Sequence, residues 1–250
     1  MKHFPRVILV LIGINVAFFL PYLLARGINE TLLDNFALYF LKNDAFHVWQ
    51  FVTYMFLHGN ELHIFFNMFA LASFGIPLSM IWGWKRFLIF YFATGIGAGI
   101  VYSGVNYFQF SNAYEVMTAA GFSSEAIGNF ITTTRADPAL VAKVPQETLQ
   151  LIFDINRSSA VGASGAIYGI LVAFGFLFPN AKLTLIFLPV PIAAKYFIPA
   201  IVAIDLFSGI TGVSLFGGGI AHFAHVGGAA IGMLIMLYWR RPNVDAVRPL

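Results

Sequence analysis

The sequence predicts an all-α membrane protein with six transmembrane helices, forming one polytopic domain over residues 1–250. Of its 250 residues, 59% are hydrophobic and only 10% are charged, whereas a soluble domain carries about 25% charged residues. With so few charges, much of the surface must face lipid. The apolar residues form continuous runs without the alternation of barrel strands. Helices are therefore the expected spanning elements, because lipid offers backbone polar groups no partner.

Six apolar segments approach the roughly 20 residues that a helix needs to cross a bilayer. They cover about 7–25, 62–82, 87–106, 163–179, 184–208 and 222–239. The fifth is interrupted by Pro189, Pro191 and Pro199. The first follows Lys2 and Arg6, as a signal peptide would, but its apolar core is longer. We therefore expect a retained anchor.

The basic residues predict how these segments are oriented, because they concentrate in cytoplasmic loops. One side would hold Lys2, Arg6, Lys85, Arg86, Lys182, Lys195, Arg240, Arg241 and Arg248. The other would hold Arg26, Lys42, Arg135, Lys143 and Arg157, all in long loops, where the rule is weaker. We expect both termini to be cytoplasmic, in the plasma (inner) membrane of a bacterium.

The loops at 26–61 and 107–161 would then face outward, the second as an extended outer loop or cap. Two stretches of it, EVMTAAGFSSEAIGNF and PQETLQLIFDINRS, are each predicted to form a short amphipathic helix. Such helices would lie on the membrane surface or form a lid over the bundle.

The composition argues against several functions. Because the chain has no cysteine, it has no disulfide, thiolate metal site or cysteine nucleophile. Its net charge is +3, and the basic residues follow the ends of apolar runs, which is typical of topology and not of a nucleic-acid surface. No HExxH motif and no acidic residue accompanies the histidines, so we expect neither a metal nor another cofactor.

Polar side chains gather at the starts of the second, fourth and sixth segments, which all run from outside to inside. His63 and Asn67 begin the second, Ser164 the fourth, and His222 and His225 the sixth. The three starts lie in one leaflet, so these side chains should lie at one depth. Polar groups inside a membrane bundle are costly and usually mark a function.

The stretch VGASGAIYGI, around Ser164, permits two interpretations. Gly165 and Gly169 form a GxxxG pattern, extended by Gly162 and Ala166, and small residues of this kind favour close helix packing. A serine at a helix start is also next to unpaired backbone N–H groups, which are the donors that an oxyanion requires. Helix packing alone would explain the small residues around Ser164. The interpretation of Ser164 as a nucleophile therefore also requires a nearby base.

His225 is the candidate base. It precedes Gly228 and Gly232, a second GxxxG pattern. Two small-residue faces would let the fourth and sixth segments pack closely and bring His225 within hydrogen-bond reach of Ser164. His222, three residues earlier, would either be structural or shape the site.

His63 and Asn67 are four residues apart, so one helix face presents both. Both can donate hydrogen bonds, which suits either an oxyanion or a polar clamp between helices.

No carboxylate fits as a third catalytic member, since Asp205 and Glu61 do not lie where they would obviously orient His225. We therefore expect a Ser–His dyad oriented by packing. Tyr168, one turn after Ser164, is placed to stack on the imidazole.

The chain resembles the rhomboid intramembrane serine proteases. The matching motifs are HGNELHIFFNM, GASGAIYG and AHFAHVGG, in that order on segments two, four and six. The resemblance covers about 45–240 together with the first anchor. It implies a six-helix bundle in the lipid bilayer whose substrates are transmembrane proteins.

The resemblance implies a serine endopeptidase that cleaves peptide bonds in or next to transmembrane segments through an acyl-enzyme. Ser164 would be the nucleophile, and His225 the general base and then the acid. His63, Asn67 and the backbone N–H of Ser164 would form the oxyanion hole, and Tyr168 would pack against His225.

The chain also departs from the family pattern. Gln50 follows Trp49, where members often carry arginine, and Ser79 stands where an acidic residue often follows a glycine. His58 matches a histidine that members often have, which would be structural. The segment between the third and fourth helices is long for a minimal member.

Two other functions fit parts of the sequence. A transporter or channel would suit the proline-broken fifth segment, but it predicts ionisable residues along a path across the membrane, and here they gather on one side. A catalytically inactive rhomboid-like scaffold would be expected to have lost Ser164 or His225, and both are present.

Overall fold

The computed structural model describes residues 5–24, 26–133, 135, 137–185, 188–213 and 221–239. Its helices are α1 (Arg6–Leu24), α2 (Arg26–Phe36), α3 (Gln50–Thr53), α4 (Glu61–Ala119), α5 (Ser124–Thr133), α6 (Pro138–Val141), α7 (Gln146–Arg157), α8 (Ser164–Leu177), α9 (Ala194–Thr211) and α10 (His222–Trp239). Its strands are β1 (Leu38–Tyr39), β2 (Ser159–Ala160), β3 (Lys182–Leu185) and β4 (Leu188–Ala193), paired antiparallel as β1–β2 and β3–β4. The prediction of an all-α membrane protein is confirmed, with two short strand pairs added.

Within the described residues, four helices are long and apolar enough to cross a membrane: α1, α4, α9 and α10. Helix α4 has 59 residues, which would extend about 88 Å if straight. It is interrupted at Gly83, whose φ of 74° and ψ of 166° belong to a region open almost only to glycine. The chain reverses at Gly83, which brings Gly75 and Phe87 together: a Cβ on Gly75 would lie 3.2 Å from the Phe87 ring, whereas residues 12 apart on a straight helix lie about 18 Å apart along its axis. Helix α4 is thus two arms, 61–82 and 84–119.

The second arm of α4 continues well past residue 106, where the third apolar segment was predicted to end. The first part of the expected outer loop is therefore helical. Its last turns are held by a second hydrophobic core, separate from the one inside the bundle. Phe110 and Met117 of this arm pack there with Ile127 of α5 and Ile152 of α7. Helices α5 and α7 thus pack on the end of α4 around this second core, and we call these two helices the cap.

The prediction of a helical segment from residue 184 is wrong in its first part. Lys182–Leu185 and Leu188–Ala193 pair as the antiparallel strands β3 and β4, and helix α9 begins only at Ala194. Pro189 and Pro191 lack the backbone N–H that a helix interior needs, whereas a two-stranded edge tolerates their absence. Among the basic residues used to predict topology, Lys2, Arg240, Arg241 and Arg248 lie outside the described residues.

Helix α8 is the centre of the bundle and packs against both α4 and α10. A Cβ on Gly228 of α10 would lie 1.9 Å from the carbonyl oxygen of Gly165, and a Cβ on Gly232 would lie 2.7 Å from the Cα of Gly169. The α8 and α10 backbones are therefore in direct contact. On the other side of α8, a Cβ on Gly165 would meet Ala98 of α4 at 2.6 Å.

We predict that Gly228→Ala lowers the thermal unfolding temperature of the protein in detergent, because the new methyl group forces the α8 and α10 backbones apart. Overpacking of a tight interior typically costs about 1–3 kcal/mol. Gly104→Ala is the matched control, since a Cβ there meets no atom within 4 Å. Equal unfolding temperatures for the two variants would contradict the backbone contact.

Candidate active site

Ser164 and His225 lie together at the starts of α8 and α10. Ser164 is the first residue of α8, and His225 lies in the first turn of α10. The Oγ of Ser164 is 2.8 Å from the Nε2 of His225, within the range of a hydrogen bond. Both residues are partly buried. The glycine contact between α8 and α10 fixes this pair, because it sets the distance between the two helix backbones.

Gly162 makes room beside Ser164. Its φ is 125°, a value that side chains rarely permit, and its N–H donates to the carbonyl of Tyr54 over 2.9 Å. A Cβ on Gly162 would lie 2.7 Å from the Nε2 of His63 and 3.6 Å from the Oγ of Ser164. His63 and Ser164 therefore border the same small space, which any larger residue would fill.

His63 is oriented by the chain just before α4. The Asn60 side chain caps the helix by accepting a hydrogen bond from the His63 backbone N–H at 2.8 Å. The Gly59 N–H points to the Nδ1 of His63 over 3.4 Å. Since Nδ1 is an acceptor in that contact, the proton of the neutral ring is assigned to Nε2, which borders the Gly162 space.

Asn67 lies one turn after His63 and is buried. Its amide nitrogen donates to the backbone oxygen of His63 at 2.9 Å. None of the hydrogen bonds found among the described residues joins Asn67 to Ser164. The structure thus brings His63 next to the serine and leaves Asn67 engaged with its own helix.

His58 packs behind His63, with ring centroids 5.0 Å apart in a T-shaped arrangement. The residue is only 3% exposed. Burial lowers the pKa of His58 from 6.5 to about 3, and the neighbouring His63 contributes in the same direction. His58 is therefore a neutral support for the ring that borders the serine.

The expectation that no carboxylate accompanies the dyad is wrong. Asp205 of α9 places its Oδ1 3.2 Å from the Nδ1 of His225, on the opposite side of the imidazole from Ser164. The same oxygen is 2.5 Å from the Nδ1 of His222. The other carboxylate oxygen accepts a hydrogen bond from the Tyr168 hydroxyl.

A signal for Asp205 was present in the sequence. It is the one acidic residue between Asp154 and Asp245, and it stands in an apolar segment. An isolated carboxylate there is costly unless it is paired.

Tyr168 and His222 complete the surroundings of His225. The Tyr168 ring stacks on the imidazole of His225, with centroids 4.3 Å apart and planes 11° from parallel. The hydroxyl of the same tyrosine donates a hydrogen bond to Asp205, so one side chain of α8 contacts both His225 and Asp205. The Nδ1 of His222 contacts Asp205, so among the described hydrogen bonds His222 is linked to Ser164 through that carboxylate and His225.

A cavity of about 780 Å³ opens beside His222, between the second arm of α4, α7 and the facing ends of α9 and α10. Its lining includes Asn106, Gln109, Glu147 and Ser208. Polar side chains of this kind tolerate water. The stretch TGVSLFGGG before α10 is rich enough in glycine for us to expect a hinged lid from its sequence, but after Val213 it lies outside the described residues.

Comparison with known proteins finds a family whose model matches most of this chain. A family model described as the rhomboid domain matches residues 45–144 and 139–242. The chain is 28% identical over 183 residues to "Rhomboid protein 1, mitochondrial" of Saccharomyces cerevisiae, covering 73% of this chain and 39% of that protein. It is 26% identical over 202 residues to "Rhomboid protease AarA" of Providencia stuartii, covering 76% and 55%.

A third relative is the human "Presenilin-associated rhomboid-like protein, mitochondrial", which is 28% identical over 184 residues, covering 73% of this chain and 36% of that protein. The chain thus spans between about a third and just over half of the length of these relatives.

We predict that Gly162→Ala abolishes the reaction of Ser164 with a fluorophosphonate. The methyl group would occupy the space between His63 and Ser164 and would strain a backbone with positive φ. Loss of one oxyanion donor alone costs about 10²–10³ in rate. Gly59→Ala, where a Cβ meets no atom within 4 Å, is the control and should react like the wild type. Normal labelling of folded Gly162→Ala would disprove this description of the site.

A second prediction concerns pH and stability. In the unfolded chain His58 takes up a proton near pH 6.5, whereas in the folded protein it stays neutral down to about pH 3. Because the unfolded state binds the extra proton, this residue lowers stability as the pH falls through that window, by up to about 1.4 kcal/mol per pH unit. Above pH 6.5 it has no such effect.

His58→Phe removes this proton uptake. Unfolding temperatures measured in detergent from pH 7.5 to pH 4 should therefore fall less steeply for the variant than for the wild type. Parallel profiles would show that His58 is not held neutral by burial.

Proposed function

We propose that this chain, which belongs to the rhomboid family, is an intramembrane serine endopeptidase. The protein is an integral multi-pass membrane protein. Its substrates would be transmembrane proteins, cleaved in or next to their membrane-spanning segments. The observation that carries the proposal is the 2.8 Å hydrogen bond between Ser164 Oγ and His225 Nε2.

In the proposed reaction, Ser164 Oγ attacks the carbonyl carbon of the scissile bond while His225 Nε2 accepts its proton. The tetrahedral intermediate collapses, the C–N bond breaks, and His225 returns the proton to the leaving amine. A water molecule then attacks the acyl-enzyme, with His225 again accepting a proton and then giving it to Ser164 Oγ. The second collapse releases the new carboxyl terminus.

The negative charge on the intermediate needs donors that are already in place. Ser164 begins α8, so its backbone N–H has no partner within the helix. The Nε2 of His63 borders the same space across Gly162. We assign the oxyanion hole to these two groups, with Asn67 as a third donor that would have to leave the backbone oxygen of His63.

The lengths of the helices support a recessed site. We count six spans by dividing α4 at Gly83 and including α8, which has 14 residues and a length of about 21 Å. The hydrocarbon core of a bilayer is about 30 Å thick. A central helix that is too short to cross it begins below the surface, so Ser164 would lie within the membrane. The polar cavity beside His222 would admit the water that hydrolysis requires.

We further propose that the site opens on the face opposite the cytoplasm, with both termini cytoplasmic in a bacterial plasma membrane. The distribution of lysine and arginine supports this orientation. Two spans start at the level of the active site: the first arm of α4 and helix α8. Basic residues follow the far ends of both, namely Lys85 and Arg86 after the Gly83 turn and Lys182 at the start of β3.

The test is cleavage of a reporter that contains a transmembrane segment, by the purified protein in liposomes. Ser164→Ala and His225→Ala should each lose at least about 10³-fold in rate, as nucleophile and base of a serine protease do when replaced. Ser158→Ala removes an exposed serine hydroxyl six residues before Ser164 and should cleave like the wild type.

Cleavage that persists in Ser164→Ala would overturn the assignment of the nucleophile. A wild-type protein that is folded yet neither cleaves several reporters nor reacts with a fluorophosphonate would instead be a membrane-bound scaffold.

A further inference from the structure

We propose that Asp205 is a positioning residue that orients His225 and completes a Ser164–His225–Asp205 triad. The inference rests on the proposed function and extends it, since sequence motifs alone indicate a serine–histidine pair. It also assigns to α9 a part in the active site, because Asp205 comes from that helix.

The three side chains form a continuous line of hydrogen bonds. Ser164 Oγ is 2.8 Å from His225 Nε2, and His225 Nδ1 is 3.2 Å from Asp205 Oδ1. The imidazole therefore contacts the serine with one nitrogen and the carboxylate with the other. The Tyr168 ring, stacked on one face of the imidazole, keeps the ring in this plane.

The carboxylate determines which nitrogen of His225 carries the proton. An ionised carboxylate has only acceptors, so its neighbour Nδ1 must carry the proton. The Nε2 lone pair then faces Ser164 and is free to accept the hydroxyl proton. In the other tautomer Nε2 would donate to Ser164, and the serine would have no base. Once Nε2 is protonated, the negative charge of Asp205 also stabilises the imidazolium.

The burial of Asp205 is balanced by its partners. The residue is 6% exposed and lies in an apolar helix, where an unpaired carboxylate is strongly destabilising. Its two oxygens receive donors from Tyr168, His222 and His225. His222 thus holds the carboxylate in place for His225, which gives it a role at one remove from the serine.

Asp205 also ties α9 to α8 and α10 through the same contacts, so a purely structural role must be distinguished from positioning. Asp205→Asn keeps the size of the side chain and removes its charge. If Asp205 positions His225, Asp205→Asn should lower kcat at least about tenfold and leave KM unchanged. The largest loss expected is about 10⁴-fold, which is the effect of replacing aspartate by asparagine in the triad of a soluble serine protease. The rate of fluorophosphonate labelling of Ser164 should fall in parallel.

Ser103→Ala is the matched control. Ser103 lies in the second arm of α4 away from the cavity lining, is buried, and its hydroxyl has no hydrogen-bond partner among the described residues. The variant should keep the wild-type kcat. An unchanged kcat in folded Asp205→Asn would overturn the proposal. A raised KM and a lowered unfolding temperature, without a specific loss of kcat, would reduce Asp205 to a structural clamp.

A second measurement needs neither a substrate nor a folded variant of Asp205. In wild-type protein labelled with ¹⁵N-histidine, with His225→Ala used to assign the signals, the neutral His225 ring should carry its proton on Nδ1. A proton on Nε2 would overturn the proposal. If the wild type cleaves no reporter, the proposed function fails, and this spectrum still decides whether Asp205 sets the tautomer.

Discussion

The site depends on direct contact between the backbones of α8 and α10. Gly228 lies against the carbonyl of Gly165, and Gly232 against the Cα of Gly169, so neither position on α10 has room for a side chain. Lipid gives helices little hydrophobic reason to associate, and small residues compensate by letting backbones approach. Because Ser164 starts one helix and His225 lies in the first turn of the other, this approach also sets the distance between them. The same glycines therefore determine both how α8 packs on α10 and how far Ser164 lies from His225.

A second constraint is the depth of the site. Helix α8 is shorter than its neighbours, and a second core that includes Phe110 of α4 and Ile152 of α7 lies apart from the core of the bundle. The cap holds the second arm of α4 beyond the length that a membrane requires, and a polar cavity lies between the cap and the ends of α9 and α10. For the recessed site that we propose, this cavity would supply the water that hydrolysis requires.

Much of the site could be predicted from the sequence because its residues begin helices that run in one direction, which places Ser164, His63 and His225 at one depth. Asp205 was missed because its use depends on how α9 is rotated about its axis, and spacing along one helix does not specify that rotation. Hydropathy likewise could not separate the β3–β4 hairpin from a helix, although Pro189 was a usable signal. Nor could it show that α4 continues to Ala119, since that end is stabilised by contacts with the cap.

The most direct test of the central claim is to locate the covalent adduct that a fluorophosphonate forms with the purified protein in detergent. Mass spectrometry of the digested wild type should find the adduct on Ser164 and on no other serine. It should find none in His225→Ala, because without the imidazole the hydroxyl is not activated. A folded wild type that remains unmodified, or an adduct on another serine, would contradict the account of Ser164 as an activated nucleophile.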